Sequence, residues 1–278
     1  VTLEAAATTG NAVRFTASAD HFTADHQSAR LRVHAGEALI VNVVNARKVD
    51  ADIKVDLASG EPTADWTEAA YSVATGWPAI PAFHQNRLVL GGGRTLPNRI
   101  FLSKTDDLFN FDPGSGLDDE AIDFELLSDQ VNAVRGLLSG RDLQVFTSGG
   151  EWRVTGDPLT PTSIQVKRQT RVGSRSDRYT APKVIDGATV FVGRTGDRLN
   201  EFNYSEVDGA YLTDDLTLLA KHLVTDVVEL DYQPSKRLLY CVQGDGSLAV
   251  LTQYRSEKVT AWSSVTTDGQ ARAIAVID

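Results

Sequence analysis

The sequence predicts an all-β protein: a partial β-propeller of about three to four blades, preceded by a small antiparallel β-barrel or meander domain. Three observations support this prediction. Apolar and polar residues alternate with a period of two along most of the chain, which is typical of strands with one buried face. Gly and Asp turns separate the alternating segments at short intervals. Groups of segments recur at about 45 residues, the repeat length of a four-stranded propeller blade.

The composition indicates a folded chain without an intramolecular disulfide or a site with several cysteine ligands. The 278 residues carry a net charge of −10, and 42% of them are apolar, too many for a disordered chain. No apolar run approaches the roughly 18 residues of a membrane-spanning helix, so we expect no membrane partner. The single cysteine, Cys241, excludes an intramolecular disulfide and any site with several cysteine ligands. The absence of methionine predicts that the chain is a fragment of a longer polypeptide.

Residues 1–72 are predicted to form the small β-domain. Short alternating segments separated by turns pair most readily as an antiparallel meander. The segment Gly76-Trp77-Pro78 begins a new pattern, which places the domain boundary near Val73. The predicted strands of this domain are 30–34, 39–44 and 49–57.

Residues 73–278 are predicted to form the propeller blades. No WD dipeptide or kelch signature accompanies the repeat, and three or four blades are too few to close a typical ring. Residues 273–277 have the pattern of a first strand of a further blade, in agreement with a fragment. The predicted strands are 87–90, 99–102, 122–127, 134–138, 144–147, 151–154, 183–185, 189–192, 199–204, 227–232, 238–242, 248–254 and 259–263.

One short helix is predicted near residues 214–223. Asp214 and Asp215 suit its N-terminus and Lys221 and His222 its C-terminus, where the helix dipole favours charges of these signs. Leucines recur along one face at helical spacing. A parallel α/β sheet would require many such helices, so this helix is interpreted as an insertion between blades.

Histidine and acidic residues offer two weak candidates for a metal site. His21 and His26 share a segment with Asp20 and Asp25, and a metal site there competes with the interpretation of solvated turn residues. The acidic residues between 112 and 125 lack the spacing of an EF-hand loop and are interpreted as a charged loop. We therefore assign no metal-binding residue.

The sequence contains no constellation that identifies an enzyme. The G-x-S-x-G elbow of α/β-hydrolases is absent, and no Lys-Ser/Thr pair follows the glycines at 91–93, which we interpret as a hairpin loop rather than a phosphate loop. Residues 103–109 have only a faint likeness to the Asp-box of sialidases. We assign no catalytic residue and no cofactor, and we predict that the protein is not an enzyme.

Ten short motifs of the propeller part, taken in order, resemble one family: the tail nozzle or hub proteins of short-tailed bacteriophages, similar to tail tubular protein B. The N-terminal 72 residues resemble the small FCCH-like β-domain often inserted in such chains. The motifs are GWP at 76–78, FHQNRL at 83–88, LPNRIFLS at 96–103, DLFNF at 107–111, SGGEW at 148–152, LTPTSI at 159–164, RQTRVGS at 168–174, DDLTLLAKHL at 214–223, AWS at 261–263 and TDG at 267–269.

The resemblance implies a virion structural protein, assembled in the bacterial host cytoplasm. It implies a homo-oligomer, a hexamer, that forms a tube for DNA, contacts the tail adaptor and anchors fibres or spikes. An acidic chain suits a channel that DNA passes without specific binding. One local basic stretch interrupts this acidity and is the candidate for DNA-channel or subunit contacts, or for pairing with acidic loops of a neighbouring blade. Its residues are Lys167, Arg168, Arg171, Arg175 and Arg178.

Two alternatives remain open. The first is a distal tail module that binds a receptor or a glycan, for which aromatic residues on loops would be needed, and Trp66, Trp77 and Tyr211 are candidates. The second, less favoured, is a propeller glycosidase, which would need a pair of carboxylates at the cleaved bond. The large residues expected in the core are Trp152, Phe191, Phe202, Tyr240 and Trp262.

Overall fold

The computed structural model describes residues 1–128 and 132–277, and the fold is all-β. The chain divides into two compact units, the first of Val1–Pro78 with Gly93–Leu96 and the second of Ala79–Gly92 with Pro97–Asp278. Within the described residues, the one helical segment is the 3₁₀ turn Ala24–His26. That part of the chain therefore offers no helix with the length and apolarity needed to cross a membrane.

The first unit is built around one six-stranded antiparallel sheet in the order β1-β2-β5-β4-β3-β6. Alternating side chains of the strands point into a core that includes Phe15, Leu31 and Ile40, all of which are fully buried. The period of two in the sequence thus reports the buried face of this sheet. The strands are β1 (Leu3–Ala5), β2 (Val13–Ala17), β3 (Arg30–Val33), β4 (Gly36–Asn45), β5 (Lys48–Val55) and β6 (Trp66–Glu68).

The second unit contains four successive four-stranded antiparallel sheets, each made of strands that follow one another in sequence. We number them sheet 1 to sheet 4. Sheet 1 consists of β7 (Ile80–His84), β8 (Arg87–Gly91), β9 (Arg99–Leu102) and β10 (Ile122–Glu125). Sheet 2 consists of β11 (Val134–Ser139), β12 (Leu143–Thr147), β13 (Gly150–Thr155) and β14 (Gln165–Thr170). Sheet 3 consists of β15 (Lys183–Ile185), β16 (Ala188–Val192), β17 (Leu199–Ser205) and β18 (Ala210–Asp215). Sheet 4 consists of β19 (Val227–Gln233), β20 (Leu238–Gln243), β21 (Leu248–Tyr254) and β22 (Val259–Val265).

These sheets pack against one another in the order of the chain, as blades of a β-propeller do. One apolar cluster joins sheets 1 and 2, and another joins sheets 3 and 4. Between sheets 2 and 3 lies an aromatic cluster of Phe146, Phe191, Phe202 and Tyr211. Each sheet buries an apolar surface that it cannot cover alone, so the stack is held by contacts between consecutive sheets.

The structure confirms the predicted all-β class and most of the predicted strands. Strand β9 has the predicted bounds, as do β15 and β21, and the expected core residues Trp152, Phe191 and Phe202 are buried. Sequence patterns missed β7, β14 and β18 in the second unit and the short β1, β2 and β6 in the first. Residues 273–277 form no ladder with a neighbouring strand; the N–H groups of Ile274 and Val276 donate instead to the carboxylates of Glu229 and Asp231.

The helix predicted near residues 214–223 is wrong. Asp214 and Asp215 end strand β18, and residues 216–223 form successive turns. The Asp215 side chain accepts hydrogen bonds from the N–H and hydroxyl groups of Thr217, a local arrangement that competes with helical hydrogen bonds. Leu219, which was expected on the buried face of a helix, is 94% exposed.

The antiparallel order of each sheet determines which loops lie together. In a four-stranded meander, the turn between strands one and two and the turn between strands three and four lie at the same edge. In sheets 1 to 3 these are the connections after β7, β9, β11, β13, β15 and β17. The candidate site described next lies among these turns.

Candidate functional site in the second unit

A polar cleft opens between the turns of sheets 1 and 2, with a volume of about 530 Å³. Cavities of about 300–1,000 Å³ are of the size that holds a small organic ligand. Its walls come from the end of β7, the turn between β11 and β12, and the loop between β13 and β14. Side chains that line it include His84, Gln85, Arg141, Asp142, Arg153, Asp157, Ser163 and Gln165.

His84 and Gln85 form the wall on the side of sheet 1. Gln85 and Asn86 occupy the turn between β7 and β8, and both have a positive φ, as a tight hairpin turn requires. The His84 ring is buried, and its Nδ1 lies 2.8 Å from the Ser139 hydroxyl. Burial lowers the pKa of His84, although the nearby Asp142 carboxylate opposes the shift. The wall therefore presents a neutral imidazole at neutral pH.

The Gln85 side chain fixes the loop between β13 and β14. Its amide oxygen accepts a hydrogen bond from the Leu159 N–H at 2.8 Å, and its amide nitrogen donates to the Gly156 carbonyl at 3.0 Å. The loop on the opposite side of the cleft is thus tied to the turn of sheet 1. Such ties keep a site open in one geometry without a ligand.

Asp142 lies at the base of the cleft and holds two neighbours. Its Oδ2 lies 2.8 Å from Arg153 Nε and accepts a hydrogen bond from the Tyr211 hydroxyl at 3.2 Å. Asp142 is 8% exposed, so it relies on these partners for the stability of its charge. Burial and the neighbouring Asp142 charge raise the pKa of Tyr211, which keeps the phenol protonated and donating.

Two guanidinium groups flank the ring of Tyr204. The Arg141 guanidinium lies 4.4 Å from the ring centroid and that of Arg153 lies 5.1 Å away. Arg141 also pairs with Glu206, but both side chains are more than half exposed. An exposed pair of this kind contributes only about 0–1 kcal/mol, so a ligand can replace Glu206 at little cost.

A second cavity of about 460 Å³ lies on the other side of the His84–Gln85 wall. Its lining is more apolar, with Phe83 and Leu108 beside Asn86 and Asp106. Phe83 is 64% exposed, which is unusual for a large aromatic residue on a strand. The two cavities together place an exposed aromatic ring beside a polar cleft.

The cleft offers donors and acceptors side by side. Arginine only donates and aspartate only accepts, whereas the imidazole of His84 and the amide group of Gln165 can do either. A ligand rich in hydroxyl groups, each of which both donates and accepts, matches this mixture. The residues are suited to binding by hydrogen bonds.

The structure does not bring the five residues of the basic stretch together into one surface. Lys167 and Arg168 lie on β14, where Arg168 is half-buried with its guanidinium 5.8 Å from the Trp152 ring. Arg171 is exposed in the segment after β14. Arg178 lies at the surface beside Asp177.

Arg175 is a buried structural residue. It pairs with Asp177 and Asp226, each at 2.6 Å, and donates to the Val227 carbonyl at 2.8 Å. Its charge is therefore directed into the connection to sheet 4. Arg175 thus behaves as the second sequence interpretation expected, because it pairs with an acidic residue next to a neighbouring blade.

The acidic residues between 112 and 125 are engaged by cations and amides. Arg99 holds Asp123, Lys104 holds Asp119, and Asn98 donates to Glu125 at 2.8 Å. These are the contacts of a charged loop, as the sequence indicated. In the described part of the chain, the group of side chains with metal-ligand geometry lies elsewhere, in the first unit, and consists of His21, His26 and Glu68.

Sequence reasoning missed the residues of the polar cleft. The signal that existed was the pair Gln85-Asn86 between two apolar segments, which marks a hairpin turn. Of the aromatic candidates, Tyr211 is buried with its hydroxyl group on Asp142, and Trp66 is half-buried in the first unit. Trp77 is 64% exposed, but it belongs to the first unit.

Comparison with known proteins gives structural neighbours only. No family model matches the chain, and no curated protein matches it. An auxiliary nutrient-binding protein from Bacteroides thetaiotaomicron is 13% identical with a TM-score of 0.42 and covers 97% of this chain and 70% of its own. A candidate 6-phosphogluconolactonase from Bacteroides uniformis is 11% identical with a TM-score of 0.49, and the match covers 95% of this chain and 69% of that one. AztD from Citrobacter koseri is 12% identical with a TM-score of 0.41, and the match covers 98% of this chain and 83% of that one. At these values no activity is transferred.

The predicted relationship to phage tail nozzle proteins is wrong. The three structural neighbours named above are bacterial proteins, a nutrient-binding protein, a candidate 6-phosphogluconolactonase and AztD, rather than phage tail proteins. Three predictions that followed from this relationship are therefore also wrong: the function as a subunit of a tail tube, the description as a phage-tail protein, and the location in a virion.

The resemblance failed for a physical reason: its motifs occupy positions that serve the sheets. Gln85 and Asn86 form a tight turn, and Arg87 is buried against backbone carbonyls. Glu151 and Trp152 are buried in sheet 2. These residues serve the packing and turns of the sheets, and features that serve a fold do not identify a function.

Proposed function

We propose that the protein is a non-catalytic glycan-binding module and that the polar cleft is its binding site. One observation supports this most directly: Arg141 and Arg153 flank the Tyr204 ring, and both line, together with Asp142, a cleft of small-ligand size. Sugar hydroxyl groups accept from guanidinium groups and donate to carboxylates, and charge-assisted bonds of this kind are the strong ones. The exposed Phe83 ring in the adjacent cavity adds an apolar surface for a second sugar ring.

The arrangement of the acids favours binding over catalysis. Asp142 is committed to Arg153 and Tyr211, and hydrolysis of a glycosidic bond generally requires one protonated and one ionised carboxyl group facing the same bond. We therefore expect a bound glycan to be released unchanged.

The test is binding of the full chain to an array of neutral and acidic glycans, followed by calorimetry with the strongest ligand. Arg141→Ala should weaken binding at least tenfold, because a hydrogen bond to a charged group contributes about 1.5–3 kcal/mol. Arg141 is half exposed, so its removal should leave the fold intact. Chromatography of the recovered glycan should show no cleavage.

Arg198→Ala is the matched control. Arg198 is also about half exposed beside an acidic neighbour, Asp197, but it lies just before β17, at the opposite edge of sheet 3 from the cleft. Its replacement should leave the affinity unchanged. Failure of every glycan to bind, or equal losses in both variants, would refute the proposal.

A further inference from the structure

Three side chains in the first unit bring nitrogen and oxygen ligand atoms together. One ligand atom from each of His21, His26 and Glu68 lies within 4.8 Å of the other two. The Nε2 of His26 is 3.3 Å from one Glu68 oxygen, and the Nε2 of His21 is 3.8 Å from the other. The cluster belongs entirely to the first unit and is independent of the polar cleft.

Two separate parts of the sheet place these residues. His21 and His26 lie in the segment between β2 and β3, where the 3₁₀ turn Ala24–His26 ends on the second histidine. Glu68 is the last residue of β6, which pairs with β3 through Leu31. Residues that are more than 40 positions apart in sequence therefore meet at one edge of the sheet.

The orientation of the His26 ring leaves Nε2 for a ligand. Its Nδ1 lies 3.0 Å from the Thr23 N–H and 3.3 Å from the Thr23 carbonyl. In this contact the Thr23 N–H donates to Nδ1, so a zinc ion on Nε2 requires the ring proton to lie on Nδ1 instead. The Thr23 hydroxyl at 3.0 Å and the Thr23 carbonyl at 3.3 Å can then accept it, which is the role that backbone carbonyls play for metal-binding histidines. Edge-to-face contact with Phe22 at 5.6 Å also fixes the ring.

The His21 ring is held mainly by aromatic packing, and the residue's backbone N–H donates to the Ala46 carbonyl at 2.8 Å. Its ring makes edge-to-face contacts with Phe22 at 5.1 Å and Trp66 at 5.0 Å. The buried His21 Nε2 and Glu68 Oε2 make no hydrogen bond. Buried polar atoms without hydrogen bonds are costly and rare in native proteins, and these two belong to side chains whose ligand atoms lie within 4.8 Å of one another. A shared ion would satisfy both.

We propose that His21, His26 and Glu68 bind a Zn²⁺ ion through the two Nε2 atoms and one Glu68 oxygen. Two histidines and one glutamate are a known protein ligand set for zinc, with a water in the fourth position. Ligands about 2.1 Å from an ion at tetrahedral angles lie about 3.4 Å from one another. The 3.3 Å between His26 Nε2 and one Glu68 oxygen matches this value, whereas the upper limit of 4.8 Å for the set of three ligand atoms means that the side chains move closer together around the ion.

The ion would join the β2–β3 segment to the short edge strand β6. That strand has three residues and a single partner strand, so it has few other contacts to hold it. The side chains of His21 and Glu68 are 28% and 25% exposed, which leaves a path for the ion from solvent. His26, at 8% side-chain exposure, forms the inner wall.

The experiment titrates the metal-free full chain with ZnCl₂ by calorimetry and records zinc-edge X-ray absorption of the complex. We expect one ion per chain with nitrogen and oxygen ligands only, and a rise of the melting temperature with zinc. Glu68→Gln preserves the shape of the side chain but removes its charge and should weaken zinc binding at least tenfold. His21→Asn should do the same.

His222→Asn is the control, since it removes an exposed imidazole in the second unit. Circular dichroism shows whether each variant keeps its sheet content. Unchanged affinity in folded Glu68→Gln, an equal loss in His222→Asn, or no zinc uptake by the unmodified chain overturns the proposal. Sulfur in the absorption spectrum would do so as well, because it would place the ion at Cys241.

Discussion

Replacing Arg87 by methionine should destabilise the second unit strongly. Arg87 is 1% exposed and donates three hydrogen bonds to backbone carbonyls: to Ser103 at 2.7 Å, to Glu120 at 2.6 Å and to Asp118 at 2.8 Å. These bonds tie the long connection between β9 and β10 to strand β8. Methionine fills a similar volume but leaves all three carbonyls without a donor.

The magnitude follows from the burial of each carbonyl. The Ser103 carbonyl bond is buried, so its loss should cost about 2 kcal/mol, and each of the two partly buried bonds about 1 kcal/mol. Methionine carries no charge, so the variant avoids the cost of burying the guanidinium, which offsets the loss by about 1 kcal/mol. The expected loss of unfolding free energy is therefore about 3 kcal/mol.

Urea unfolding followed by tryptophan fluorescence measures this loss. At a slope of about 3 kcal/mol per molar urea, the midpoint of the second unit should fall by about 1 M. Arg99→Met is the control in the same sheet, because Arg99 forms a half-exposed pair with Asp123 worth about 0–1 kcal/mol. A loss in Arg87→Met no larger than in Arg99→Met would refute the reasoning.

Two further predictions concern buried charges of sheet 2 and its connection to sheet 3. Burial raises the pKa of Glu151 despite hydrogen bonds from Thr170 and Gly173. Above the ordinary glutamate pKa of about 4.3, the folded protein therefore keeps a proton on Glu151 that the unfolded chain has released. The unfolding free energy should then fall as the pH rises through the pKa of Glu151 in the folded state. Glu151→Gln should remove this dependence of stability on pH, which urea midpoints measured between pH 4 and 8 would test. Parallel plots of midpoint against pH for the variant and the unmodified protein would contradict the prediction. Arg175→Gln should lower the unfolding free energy by about 2 kcal/mol, chiefly because the buried Val227 carbonyl loses its donor, whereas Arg171→Gln should change it by less than about 0.5 kcal/mol. Equal shifts of the urea midpoint in the two variants would contradict this prediction.

Sequence patterns identified strands where short apolar segments lie next to turn residues. The strands β9, β15 and β21 were predicted at their observed bounds because each is rich in apolar residues and follows a Gly, Pro or Asn turn residue, although their buried residues do not alternate strictly. Strand β14 was missed because its residues, Gln165–Thr170, include Lys167 and Arg168 and have no fully buried face. An outer strand of a blade lacks the pattern that burial on one face imposes.

The helix near 214–223 shows how local preference misleads. Acidic residues followed by leucines satisfy the helix signals, but β17 pairs with residues 210–215 through six register pairs. The backbone hydrogen bonds of β18 outweigh the weak intrinsic preference of a short segment. This choice depends on a partner strand that no local window contains.

The sequence by itself determined the all-β class, the repeat of strands and turns, and much of the apolar core, because each depends on local periodicity and on which face is buried. It did not determine either candidate site. His84, Arg141 and Asp142 meet because antiparallel meanders return their turns to one edge, and Glu68 reaches His21 and His26 because β6 pairs with β3. Contacts between residues far apart in the chain arise only from strand pairing and sheet packing, which exist only in the tertiary structure.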